Sequence, residues 1–379
     1  MSAYKPVQGR IITLPFLCLG IIALIGLYYL FQRFQLGLGA VTNLNAGYPW
    51  GIWVVYDIVI GTALACGGYA LAITVFIMNK GKYHPLVRPA ILASLFGYAM
   101  GGFGAFIDMG RWWQFYNILL PWNMNFNSVM LEVGLCVFIY IMVLVVEFAP
   151  TLLEKIGATG AKKAIEKMLF FFIALGILLP TMHQSSLGSL LIAAGYKVTP
   201  LWQSMQLLPL LAVLSALTMG FSIVVFEASL STVGFRRASE TPLLAGLGKA
   251  IMGLLALFLL IRFGDLAYRG QLGLAFTGDF KSMMFLLETA LFVVPLLILL
   301  SESNRNNGKV LLIAALSMLF GGSLYRLNAF LIGYEPGPGF SYFPSVPEMM
   351  VTVGIIAIEI MAYLIFVKKL PVLHSADHA

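Results

Sequence analysis

Residues 49–78 read PWGIWVVYDIVIGTALACGGYALAITVFIM. A helix needs roughly 20 apolar residues to cross the hydrocarbon core of a bilayer, and this longer stretch carries a single charge, Asp57. A carboxylate facing lipid costs several kcal/mol or more, so a spanning helix that keeps one must turn it into protein. At 1.5 Å per residue Asp57 lies roughly 12 Å along the helix from Pro49. Gly61 and Gly68 share its face at helical spacing. The stretch therefore predicts a transmembrane helix with other helices packed around it.

Nine further apolar stretches follow the same rule, so that ten can be marked off: 11–34, 49–78, 86–109, 125–148, 168–183, 205–228, 243–268, 283–300, 310–332 and 349–367. With 60% apolar and 10% charged residues among 379, and a mean hydropathy of +0.93, the chain lies outside the soluble globular range. The expected fold is all-α and polytopic, a single membrane domain over 1–379. Helices two to five (about 49–183) form one four-helix bundle and helices six to nine (about 205–332) a second, with helices one and ten flanking them. The first stretch follows Lys5 and Arg10 but is too long for a signal-peptide core and has no small-residue cleavage site, so it reads as a retained helix.

Most of the 23 Lys and Arg residues fall in loops on one side, among them Lys80, Lys82, Lys155, Lys162, Lys163, Lys167, Arg236 and Arg237. Basic residues concentrate on the cytoplasmic side of inner-membrane proteins, which places both termini there and requires an even number of crossings. The net charge of +7 is explained by this bias and does not point to nucleic acid. The opposite loops, 37–48, 111–123, 184–203, 269–280 and 333–347, are long, weakly charged and aromatic. Such a face suits a docked partner.

Charged groups within spans are the functional candidates. Asp57 and Glu132 are expected at similar depth in the first bundle, with Tyr140 on the Glu132 face, and Asp108, Arg111 and His183 at the outer ends of helices three and five. A quinone head group needs hydrogen-bonding partners for two carbonyls, a proton donor or acceptor, and apolar walls. Trp50, Trp53, Tyr56 and Trp112 can supply walls. Glu147 and Glu227 near the inner ends of helices four and six can open a proton entrance. Arg262, Asp265, Glu288 and Arg326 in the second bundle read as structural ion pairs. Two b-type haems need four axial ligands, most often histidine. The chain has only His84, His183, His374 and His378, with His84 and His183 expected on opposite sides. A chain without haem is therefore expected. Cys18, Cys66 and Cys136 are too dispersed for a metal or iron-sulfur motif, so electrons must enter from another subunit.

Four segments carry a resemblance: Pro49-Trp50-Gly51-Ile52-Trp53 followed by Asp57 and Gly67-Gly68, then His84-Pro85-Leu86-Val87-Arg88-Pro89, then Leu179-Pro180-Thr181-Met182-His183-Gln184-Ser185-Ser186, and Pro200-Leu201-Trp202-Gln203-Ser204. Over nearly its whole length the chain resembles the HybB-type membrane subunits of periplasmic nickel-iron hydrogenases, within the wider NrfD-like (polysulfide reductase membrane subunit) family. The resemblance implies a haem-free, quinone-reactive subunit. Menaquinone or ubiquinone would be its substrate. Its partners would be a periplasmic ferredoxin-like iron-sulfur protein, which alone carries the clusters, and the large and small hydrogenase subunits. It also implies quinone or proton handling for Asp57, Arg88, Glu132 and His183. A secondary transporter or a purely structural anchor are the alternatives.

Overall fold

The computed structural model describes residues Tyr4 to His374; His378 lies outside the described residues. Among them, ten helices are long and apolar enough to cross a membrane: α1 (Leu14–Leu36), α2 (Trp53–Ile77), α3 (Gly81–Asp108), α4 (Val129–Lys155), α5 (Thr159–Lys197), α6 (Leu208–Gly234), α7 (Thr241–Tyr268), α8 (Phe280–Leu300), α9 (Gly308–Ile332) and α10 (Val346–Lys369). The chain is an all-α, multi-pass membrane protein. Among the described residues one sheet forms, a clasp of two short strands, β1 (Tyr4–Lys5) and β2 (Leu373–His374), which pair antiparallel and tie the ends together.

Neighbouring helices close into two rings. α2 packs on α3, α3 on α4, α4 on α5, and α5 returns to α2; α6 to α9 repeat the arrangement. α2 also lies against α6 and α9, so the rings share a seam. α1 packs along α10, and α10 leans on α3 and the start of α2. The apolar windows of α2 and α6 are 78% and 72% buried, against 17% for α1. Helices buried on all sides must satisfy every polar group internally, and α2 shows how this is done.

The α2 span is not a regular helix. Trp53–Ile60 and Ile73–Ile77 are π-helical, and the ladder breaks between Leu64 and Gly67. Ser94 of α3 mends the break: its hydroxyl donates to the Ala65 carbonyl at 2.5 Å and accepts the Gly68 N–H at 2.9 Å. The wider π turn also changes which residues share a face. Gly61 lines a cavity with Asp57, whereas Gly68 faces Ser94. The single glycine face expected from α-helical spacing is thus divided between two neighbours.

The α-helical part of α5 runs over Thr159–Ala194, well past the expected end at 183. Its last turns pass beside α6, where a Cβ on Gly188 would lie 2.5 Å from the Leu208 carbonyl oxygen. His183 is consequently not at the outer end of its helix. It lies eleven residues before Ala194, roughly 16 Å along the axis.

In the second ring the buried charges are paired or held by carbonyls. Arg262 pairs with Glu288, which also accepts from Trp202 Nε1 at 3.0 Å and Asn328 Nδ2 at 2.5 Å. Asp265 pairs with Arg269 at 2.7 Å. Arg326, expected to join these pairs, instead donates to Val59 O, Ala212 O and Ser215 Oγ, each at 3.1 Å. It bolts α9 to α6 and to the π turn of α2.

Candidate functional site

A cavity of about 650 Å³ lies inside the helices. Its walls come from α2, α3, α6 and α10, with the start of α1 at its mouth. The deep end holds Tyr56, Asp57, Met100, Gly101 and Ile355; the mouth holds exposed Thr13 and Gly234, with Lys368. Between them the lining is mostly apolar but includes Glu227, Glu359 and Tyr363. The mouth therefore opens on the face that carries both chain ends, where α1 starts and α6 and α10 finish.

Asp57 is 5% exposed, and its Oδ2 has no hydrogen-bond partner. Two glycines one turn apart on α3 bring the helices together at this point. A Cβ on Gly101 would stand 2.8 Å from the Asp57 carbonyl oxygen, and one on Gly104 would stand 2.6 Å from the Asp57 Cβ. Nearer the mouth on the same helix, Gly97 leaves space for the Glu359 carboxylate, which a Cβ there would meet at 3.5 Å. The Tyr363 hydroxyl donates to Glu227 across α6 and α10.

A second polar group surrounds His183. Thr62 Oγ1 lies 2.9 Å from His183 Nε2, accepts from Gln184 Nε2 at 3.1 Å, and donates its own proton to the Ile58 carbonyl at 2.5 Å. Since that hydroxyl proton is already committed, His183 Nε2 carries the hydrogen and donates, which leaves Nδ1 as an acceptor; it has no partner. Tyr98 sits edge-on to both His183 and Tyr140, with ring centroids 5.9 and 4.5 Å apart.

The expected site residues do not form one pocket. Asp57 and Tyr56 line the cavity. Glu132, expected at similar depth to Asp57 in the first bundle, stands exposed in the first turn of the Val129–Lys155 helix. Asp108 is the last helical residue of α3, with a buried Oδ1 that has no partner. Arg111 is exposed. Trp50 and Trp53, expected as ring walls, are buried staples whose indole N–H groups donate to Phe330 O at 2.7 Å and Glu348 O at 3.1 Å. Trp112 packs on Phe34, Phe106 and Trp113. Tyr140 belongs to the His183 group, and Glu147 fits against Gly176, where a Cβ would approach its Oε1 to 2.7 Å. Arg88 is on the terminus-bearing face, bonded to Glu154 at 2.9 Å and to Pro371 O at 2.9 Å, with its guanidinium 4.0 Å from the Tyr4 ring centroid. It braces the clasp of chain ends.

A family model described as polysulphide reductase, NrfD, matches residues 40–335. The chain belongs to the NrfD family. This NrfD-family chain is 48% identical over 371 residues to the "Probable Ni/Fe-hydrogenase 2 b-type cytochrome subunit" of Escherichia coli, covering 97% of this chain and 95% of the relative. It is also 26% identical over 384 residues to the "Menaquinone reductase, integral membrane subunit" of Nitratidesulfovibrio vulgaris, covering 92% and 88%. A shorter likeness, 24% over 180 residues, covers 45% of the chain and 39% of a selenate reductase subunit from Mesobacillus selenatarsenatis.

The name of the Escherichia coli relative designates a haem protein, and it overturns the expectation of a haem-free chain, which rested on counting histidines. Counting is blind to other axial ligands. The surroundings of His183 do not fit axial ligation as they stand, because Nε2 faces the Thr62 hydroxyl and the ring is packed against Tyr98.

The residues that sequence alone left scattered are Glu227, Glu359 and Tyr363. As a charge within a span, Glu227 drew notice near the inner end of its helix. Tyr363, four residues after Glu359 and on its face, had no such mark. Their convergence with Asp57 depends on α10, which belongs to neither ring and lies beyond the family match.

Proposed function

We propose that this chain is the quinone-reactive membrane subunit of a respiratory hydrogenase complex in a bacterial inner membrane. It passes electrons between an iron-sulfur partner on the periplasmic face and the quinone pool, with coupled proton transfer. The observation that carries the reading is the cavity: mostly apolar, about 650 Å³, and lined at its deep end by Tyr56 and by Asp57, whose carboxylate has an unpartnered oxygen. Pockets of this size take a ring and part of an isoprenoid tail. The names of the hydrogenase and menaquinone reductase relatives support the same assignment.

Reduction of a quinone to a quinol takes up two electrons and two protons. Tyr56 can donate a hydrogen bond to one carbonyl oxygen. Asp57, when protonated, donates to a carbonyl and gives up its proton as charge builds on that oxygen. Met100, Ile355 and the bare backbone at Gly101 leave the walls apolar, which excludes bulk water from the reduced ring. Electrons come from the opposite face, where exposed Trp113, Phe115, Tyr116, Trp122 and Phe126 offer an aromatic platform for a ferredoxin-like iron-sulfur subunit bound to the hydrogenase large and small subunits. With the basic loops and both termini on the cytoplasmic side, this platform faces the periplasm. The transporter alternative expects its site at the membrane midplane; Asp57 lies only four residues from the start of α2.

Photoaffinity labelling with an azidoquinone in the purified complex tests the assignment. Label is expected on peptides that contain Tyr56–Asp57 and Met100. Asp57→Asn is expected to lower quinone-linked hydrogen oxidation by roughly 10² or more while oxidation with a soluble acceptor continues. Label confined to other helices would refute the site.

A further inference from the structure

Three carboxylates from three helices line one cavity whose mouth lies at the terminus-bearing face. Glu227 lies seven residues, roughly 10 Å, before the end of α6, and Tyr363 donates its hydroxyl to it from α10. Glu359 stands one turn deeper on α10, opposite Gly97 of α3. Asp57 lies opposite Gly104 on that same helix, seven residues and roughly 10 Å beyond. The groups thus form a ladder from the mouth to the deep end. Carboxylates in an otherwise apolar cavity are costly to keep, and structural charges of this protein are handled differently: Glu288 has Arg262, Trp202 and Asn328. By contrast, Asp57, which lines the cavity, keeps a buried Oδ2 without a partner.

We propose that this cavity is the path by which protons from the terminus-bearing face reach Asp57, with Glu227, Tyr363 and Glu359 as successive carriers. Glu227 takes a proton at the mouth side. The Tyr363 hydroxyl, already bonded to it, links it to Glu359 one turn deeper. Glu359 hands the proton inward across a gap about three hydrogen-bonded waters long. Each carboxyl that gives a proton inward is reprotonated from the outward neighbour, so no group gains net charge over a cycle. The titratable groups along the lining are Tyr56, Asp57, Glu227, Glu359, Tyr363 and Lys368, and outside the mouth Arg237 and Glu240 act on Glu227. Two of the three carriers stand on α10, outside residues 40–335 that define the family match. The inlet is therefore a feature that the flanking helix adds to the ring of α2 to α5. Drawing protons from the face opposite the electron donor makes quinone reduction respond to the membrane potential.

The proposal rests on the quinone assignment, and the test separates the two. The complex is reconstituted into sealed vesicles with the pH varied on one side at a time, and binding of a quinone analogue is measured separately. Wild-type turnover is expected to follow the pH on the terminus-bearing side. Glu359→Gln is expected to lower quinone-linked turnover by roughly 10², with analogue binding retained and soluble-acceptor activity showing the complex intact. A small weak acid such as formate, able to enter the cavity and carry protons, is expected to restore part of the rate. Should Glu359→Gln fail to assemble, Tyr363→Phe replaces it, with a smaller loss in the same direction. Analogue binding with turnover set only by the pH of the other side, or Glu359→Gln and Tyr363→Phe both at wild-type rates, would overturn the path and leave the quinone site standing. Absence of analogue binding in the wild type would overturn the quinone assignment itself.

Discussion

Asp57 and Gly104 are in direct contact across α2 and α3, so closely that a Cβ on Gly104 would sit 2.6 Å from the Asp57 Cβ. This is shorter than real carbon contacts allow, and the obstacle is a Cβ fixed to the backbone. The position of the acid at the deep end of the cavity is thus set by a residue with no side chain on the neighbouring helix.

Gly104→Ala is expected to push α3 away from α2 and to destabilise the protein by about 1–3 kcal/mol, the usual range for overpacking. Quinone-linked activity should fall with it. Gly253 on α7, exposed with nothing near its Cβ direction, is the control: there alanine should stabilise by up to about 1 kcal/mol through helix propensity. Thermal unfolding of both variants in detergent decides the matter. Equal shifts in the same direction would show that the contact does not control the packing.

Glu288→Gln leaves the buried Arg262 guanidinium without its counter-charge. Breaking a buried pair from one side costs about 3–5 kcal/mol, so a clear drop in Tm is expected, with the cavity residues untouched. Replacing both partners, Arg262→Leu with Glu288→Leu, leaves no uncompensated charge but takes an acceptor from Trp202 Nε1 and Asn328 Nδ2, so only part of the loss should be recovered. A double variant as unstable as the sum of the singles would show that the pair is not coupled as described.

Ser94→Ala removes the hydroxyl that serves both sides of the break in α2. The Ala65 carbonyl and the Gly68 N–H lose their partner, at about 1–3 kcal/mol for each buried group left unsatisfied. Ser94→Thr, which keeps the hydroxyl, should lose less. Hydrogen exchange at the Gly68 amide is the direct readout, and unchanged protection in Ser94→Ala would dismiss this role.

Reporter fusions test the orientation. Fusions after Lys82, Thr159 and Ala238 are expected to report cytoplasm, and fusions after Asn117, Lys197 and Gly337 periplasm, following the positive-inside bias. Two or more loops reversed would invalidate the assignment of faces and, with it, the direction of the proton path.

The class and the number of crossings could be read from the sequence, because the bilayer imposes a length and an apolarity that each span must meet by itself. Asp57 stood out for the same reason: the cost of a charge in hydrocarbon is local and visible in one dimension. Helix ends were less legible. The weakly apolar residues 184–194 extend α5 because they pack on α6, which moves His183 from the outer end into the interior. The π turn and the break in α2 were invisible, since Arg326 bonds the Val59 carbonyl in the first and Ser94 bonds the Ala65 carbonyl and the Gly68 amide in the second, groups that a regular ladder would have used itself. Glu132 and Tyr140 were placed on one helical face by spacing, and the packing leaves the first exposed and the second buried. Which acids share a cavity was decided by tertiary structure alone. Asp57, Glu227 and Glu359 lie far apart in the chain and meet only because α10 docks against α2 and α3 and closes one side of the cavity they line. Spacing along one helix records which residues share its face, but not which helix that face will meet.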